Sequence, residues 1–169
     1  MSYLTLAARL LLMAVFVLSS VGKLRDLGSF ARSLVPLKLA PARLAGHMAA
    51  SVVAAEVTVV FLLALAPRLG LVSAIALLLA FTVVIVRAMS RGQRASCNCF
   101  GKQSANLGGR HVVRNVLLMG AALLGAVGEA FSSGSLKFEG IAIIAVAVAA
   151  LTTIVYFWDD LVDLLVPIR

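Results

Sequence analysis

A chain of 169 residues that is 62% hydrophobic and only 13% charged is not an ordinary soluble domain, since those run at about 45–50% apolar and about 25% charged. Its length fits one domain spanning 1–169, and its mean hydropathy of +1.08 marks an integral membrane protein. The net charge of +8 does not point to nucleic acid. The basic residues flank apolar runs, as the positive-inside bias requires, and no soluble portion is left to carry a nucleic-acid motif.

Five apolar runs, 4–21, 45–66, 69–86, 112–128 and 141–158, approach the length needed to cross a membrane, about 20 residues of helix. They are too long and continuous for barrel strands, which alternate over about 10 residues. The expected fold is therefore all-α, an integral membrane bundle of about five transmembrane helices. Pro67 separates the second and third runs and makes them antiparallel neighbours. Ser20, Val21 and Gly22 offer small residues at the end of the first run, as a signal-peptidase site would. Arg9 is its only basic residue, however, and the run is long for a signal peptide, so a retained helix is expected.

Segment 22–44 carries Leu27, Phe30, Ala31 and Leu34 at i, i+3, i+4 and i+7. That spacing predicts a short amphipathic helix, lying at the membrane interface and ended by Pro36. Asp26 is placed to cap it. The later runs contain many small residues, such as Ala45, Ala49, Gly120 and Gly125, which let helix backbones approach closely.

With five spans, segments 22–44 and 87–111 and the C-terminus share one face. Eleven of the fifteen Lys and Arg residues fall there, Lys23 and Arg25 among them. This bias places the N-terminus outside and segment 87–111 in the cytoplasm.

Segment 87–111 holds the only two cysteines, Cys97 and Cys99, within RASCNCFGK. Cysteines this close form at best a strained disulfide, and strained disulfides tend to be labile and catalytic. Arg94, Lys102 and Arg110 stand nearby, and positive charge favours the thiolate. A redox pair, a soft-metal site and two idle thiols all remain open. Zinc would need His47 and His111 from distant positions to complete four ligands, whereas copper(I) would need the thiolates alone.

Glu56 lies mid-way along the second run. A carboxylate at that depth is a functional-site candidate that needs a partner. Aligning the loop-side ends of the first two runs brings Arg9 to a similar height, which predicts an Arg9–Glu56 ion pair. His47 lies near the cysteine-side surface, where it suits an interfacial role. Arg114 and Asn115 open the fourth run, and Lys23, Arg25 and Asp26 follow the first. All five are on the cysteine side and are candidates to support a thiolate or to anchor the chain.

VGKLRD at 21–26, Glu56, CNCFG at 97–101 and RN at 114–115 occur in this order. Together they resemble the methylamine utilisation protein MauE family, a branch of the DoxX-like membrane proteins. The resemblance implies a four-helix DoxX-like core plus a C-terminal helix in a bacterial inner membrane. It implies thiol–disulfide exchange through Cys97 and Cys99 with a thioredoxin-like partner, in the maturation of disulfide-containing exported proteins such as methylamine dehydrogenase. An activity as a thiol–disulfide oxidoreductase would follow from it. The resemblance requires no cofactor. It leaves room for a quinone, and for a quinone-associated or structural role as an alternative.

Overall fold

The computed structural model describes residues 3–37, 41–91, 109–130 and 138–158. They form six helices: α1 (Tyr3–Arg25), α2 (Leu27–Leu34), α3 (Ala45–Leu65), α4 (Pro67–Ser90), α5 (Gly109–Ala130) and α6 (Phe138–Tyr156). No strand occurs among the described residues. α1, α3, α4 and α5 are long and apolar enough to cross a membrane. The apolar stretch of α6, Gly140–Tyr156, is shorter and sits at the lower limit for a bilayer core about 30 Å thick.

Helices α1, α3, α4 and α5 close a four-helix ring in which α1 touches α3 and α5, and α4 touches the same two. α6 packs outside this ring along α1. The buried stripe of α1 runs Thr5, Ala8, Leu12, Val15, Phe16, Ser19 and Lys23, the 3–4 spacing of one helical face. It is apolar from Ala8 to Phe16 and polar at the C-terminal end of α1, at Ser19 and Lys23. The apolar part joins Val59 and Leu63 of α3, Leu71, Ala74 and Leu78 of α4 and Leu118 and Ala122 of α5 in the main core.

Two glycines set how closely the ring closes. A Cβ on Gly70 would strike the backbone of Leu63, so the α3–α4 hairpin is tightest beside the Pro67 turn. A Cβ on Gly125 would lie 2.7 Å from the Ala8 Cβ. There α1 and α5 meet closely enough for buried Thr5 to donate 3.0 Å to the Gly125 carbonyl.

The α3–α4 turn also explains Arg9. A helical partner for the Leu63 carbonyl would be the amide of residue 67, which is proline and has no N–H. Arg9 supplies the donors instead: Nε and Nη2 reach Leu63 O at 3.0 and 2.7 Å, and Nη2 reaches Ala64 O at 3.2 Å. In hydrocarbon such carbonyls must find a protein donor, and a cation suits a helix C-terminus. The expected Arg9–Glu56 pair does not form. Leu63 is seven residues beyond Glu56 on α3, about 10 Å higher at 1.5 Å per residue. The two helices are not level at the loop side, because the first turns of α3 extend past the end of α1 and lie against α2.

The amphipathic helix forms as its spacing requires. The Asp26 carboxylate accepts from the Ser29 amide at 2.8 Å and caps α2. Its apolar face is directed at protein: Phe30 and Leu34 are buried with Ala49 of α3. Leu37, just beyond, packs with Ile85 and Ala88 of α4. α2 and this turn close the cysteine-side end of the ring.

Candidate functional site

Two of the four polar groups at that end come from α1 and α3. Lys23 and Glu56 are 2% and 0% exposed, and Lys23 Nζ lies 2.5 Å from Glu56 Oε1. Two hydroxyls complete the cluster: Ser19 donates to Oε1 at 3.0 Å and Ser20 to Oε2 at 3.2 Å. Lys23 also donates to Ser19 Oγ at 2.6 Å. The ammonium sits 5.5 and 5.6 Å from the ring centroids of Phe30 and Phe81, within cation–π range. Both charges thus have partners, as burial demands.

Lys23 is therefore no surface anchor, although it counts among the eleven basic residues of the loop-side face. Its long side chain turns into the bundle. Of its neighbours, Arg25 is exposed and Asp26 is spent on the cap of α2.

The other two groups come from α5. Arg114 and Asn115 are buried, at 6% and 4% exposed. Asn115 donates from Nδ2 to Thr82 Oγ1 of α4 at 3.3 Å. The polar pairs thus bridge opposite seams of the ring: Lys23–Glu56 joins α1 to α3, and Asn115–Thr82 joins α5 to α4.

Between the seams lies a chamber of about 250 Å³. Val15, Phe16 and Ser19 of α1 line one side, and Leu77, Leu78 and Phe81 of α4 the other. Phe30, Leu34 and Leu37 form its floor. Lys23, Glu56, Arg114 and Asn115 all border it. Apart from these few polar groups the lining is hydrocarbon and aromatic, the make-up of a small-molecule site.

His47 is exposed on α3 and His111 is buried on α5. No group of three or more metal-ligating residues occurs among the described residues. Arg94, Cys97, Cys99 and Lys102 lie outside the described residues, between the end of α4 and the start of α5.

The family model of methylamine utilisation protein MauE matches residues 1–128. The chain belongs to the MauE family. The match covers α1 to α4 and nearly all of α5, which is the closed ring with its chamber, and stops short of α6. This multi-pass MauE protein thus carries its family's portion as the four-helix ring, with α6 added along α1. Neither a comparison with curated proteins nor one with solved structures returns a match.

The sequence reading missed Ser19, Ser20 and the chamber, and gave Glu56 the wrong partner. A signal was present: Ser19 and Lys23 stand four apart, on the same stripe as Val15 and Phe16. A polar turn continuing an apolar stripe marks a buried polar pocket.

Proposed function

We propose that this MauE protein is a thiol–disulfide exchange factor of the bacterial cytoplasmic membrane, acting through Cys97 and Cys99 with a thioredoxin-like partner. The observation that carries the proposal is the Cys-x-Cys pair, set in a cationic segment of a MauE-family chain. A thiolate of one cysteine attacks the partner's disulfide, forming a mixed disulfide and releasing one partner thiolate. The second cysteine then attacks the mixed disulfide. The partner leaves reduced, and the Cys97–Cys99 disulfide holds the oxidising equivalents. Arg94 and Lys102, close in sequence, favour the attacking thiolate. The excess of Lys and Arg on the loop-side face favours a cytoplasmic location for the pair.

Cys97→Ser and Cys99→Ser variants test this directly. Each leaves one thiol, and one of them accumulates a mixed disulfide with a thioredoxin-fold protein in membranes, visible by non-reducing electrophoresis and mass spectrometry. If neither variant traps such an adduct, the exchange role fails. Labelling with a membrane-impermeant maleimide, in intact cells and in inverted vesicles, tests the side. Labelling confined to inverted vesicles is the expected outcome.

A further inference from the structure

We propose that the chamber at the loop-side end of the ring binds a free fatty acid as its carboxylate. The head enters sideways from the bilayer between α3 and α4, and the tail runs back out through the same mouth. The proposal goes beyond thiol exchange and stands on the helical ring alone, without the cysteine segment.

The route comes from the shape of the α3–α4 hairpin. These helices are in backbone contact at the Pro67 end, where Gly70 meets Leu63. Toward their other ends the chamber lies between them, and Met48 of α3 and Ala80 of α4 both line it while being exposed. Both lie on helices long and apolar enough to cross a membrane, so this mouth opens toward lipid. α2 and Leu37 close the end of the ring beneath it. A ligand that arrives through such a mouth comes from the bilayer.

The wall selects the head group. Its polar residues are Ser19, Lys23, Glu56, Arg114 and Asn115. Two are cations and one is an anion, and all three charges are more than nine-tenths buried. An anionic ligand evens that count, and buried charges favour such matching. Its place is on the α5 side. Both Glu56 oxygens are already covered, by Ser19, Ser20 and Lys23. α5 stands diagonally opposite α3 in the ring, so an anion at Arg114 and Asn115 keeps its distance from Glu56. A guanidinium has five N–H donors in a planar fork and binds a carboxylate through two of them. Arg114 can therefore take this ligand alongside its contacts within the protein. Asn115 uses one amide hydrogen on Thr82, and the second serves the same carboxylate. Lys23 adds its charge from the facing seam. The remaining wall is hydrocarbon and aromatic, which suits the first carbons of the chain. Size restricts the ligand to one chain. An apolar cavity of about 150 Å³ accommodates benzene, so about 250 Å³ takes a carboxyl group and roughly six carbons, with the rest of the tail in the mouth. A phospholipid head with its glycerol and two chains does not fit that space.

The test uses the full chain, delipidated in a nonionic detergent at alkaline pH, where oleate is ionised. Oleate is titrated and bound ligand is counted by native mass spectrometry. Saturable binding of one oleate per chain is expected. Methyl oleate has the same chain without the charge and is expected to bind about tenfold more weakly or worse, the scale of one lost charged hydrogen bond. Arg114→Gln is expected to weaken oleate by a similar factor and to leave methyl oleate unchanged. Ala80→Phe narrows the mouth at an exposed position and is expected to weaken oleate binding while helix content and elution volume stay native. The proposal is overturned if no saturable binding occurs, or if methyl oleate binds as well as oleate. It is equally overturned if dioleoylphosphatidylglycerol displaces oleate at equal concentration, which would make the chamber a phospholipid site. A folded Arg114→Gln chain that binds oleate undiminished also overturns it. Should that variant not fold, undiminished binding by Ala80→Phe does the same. Loss of mixed-disulfide trapping with oleate binding intact would overturn the exchange reading alone.

Discussion

Removing one partner of the Lys23–Glu56 pair is predicted to have opposite consequences from removing both, and the two single removals are predicted to differ. Breaking a buried pair by deleting one charge costs about 3–5 kcal/mol. Lys23→Met strands Glu56, which lies eleven residues into α3, roughly 16 Å from its start at 1.5 Å per residue. A carboxylate there cannot swing out to the protein surface. It keeps the Ser19 and Ser20 hydroxyls, so the cost falls near the lower end, about 3 kcal/mol. Glu56→Leu leaves Lys23 only two residues from the end of α1, where its flexible stem can carry the ammonium outward and the helix C-terminus favours a cation. About 1–2 kcal/mol is expected, at the scale of one lost charged hydrogen bond. The double Lys23→Met/Glu56→Leu chain removes both desolvation costs and is expected within about 1 kcal/mol of the native protein, or above it. Reversible unfolding of the reconstituted protein by steric trapping measures all four chains. An ordinary membrane hydrogen bond averages about 0.6 kcal/mol in such cycles, so a coupling of about 3 kcal/mol or more is distinct. A double variant as unstable as the sum of its singles would refute a directly paired, desolvated cluster, and equal costs for the two singles would refute the depth argument.

Three further outcomes follow from the packing. Arg9→Ala removes the donors to the Leu63 and Ala64 carbonyls and is expected to cost about 1–3 kcal/mol, while Arg9→Lys, lacking the planar fork, recovers only part of it; thermal melts of the detergent-solubilised chain report both. Gly125→Ala sets a methyl against Ala8 and is expected to cost about 1–3 kcal/mol, with recovery on adding Ala8→Gly; the same melts decide it, and an additive double variant would place the clash elsewhere. Gly70→Ala meets the Leu63 backbone rather than a side-chain methyl, so it is expected to destabilise more than Gly125→Ala, and a milder effect in the melts would mean that the α3–α4 hairpin is less tight.

The helical class was legible because a span must satisfy its own backbone in lipid, so long apolar runs have little choice of structure. α2 was legible from Leu27, Phe30, Ala31 and Leu34, and its cap from Asp26. What faces what was not. Helices in lipid have no hydrophobic drive toward one another, and their relative heights come from small-residue contacts such as Ala8–Gly125 and the turn at Pro67. Levelling the loop-side ends of the first two runs therefore put Arg9 opposite Glu56, although the register set by these contacts puts Lys23 there. Apolar periodicity also cannot reveal whether a buried stripe meets another helix or a void. The stripes of α1 and α4 look alike on either side of the chamber, and only the polar turn at Ser19, Ser20 and Lys23 hints at it.

The placing of the ion pair bears on what it is for. A desolvated Lys–Glu pair is a weak device for holding helices together, because apolar residues of similar volume often do as well or better. In this ring the apolar alternative is already in use: Leu12, Leu63 and Leu71 are fully buried one to three turns above the pair, and small-residue contacts close the seams around them. The pair stands where packing gives way to a chamber, with Asn115 and Thr82 across from it. The close glycine contacts lie at the opposite end, and α2 covers the near end. A bundle stabilised only by packing would fill it with leucine and phenylalanine. One that keeps it open, and sets donors on both sides at a cost in stability, is not built for packing alone.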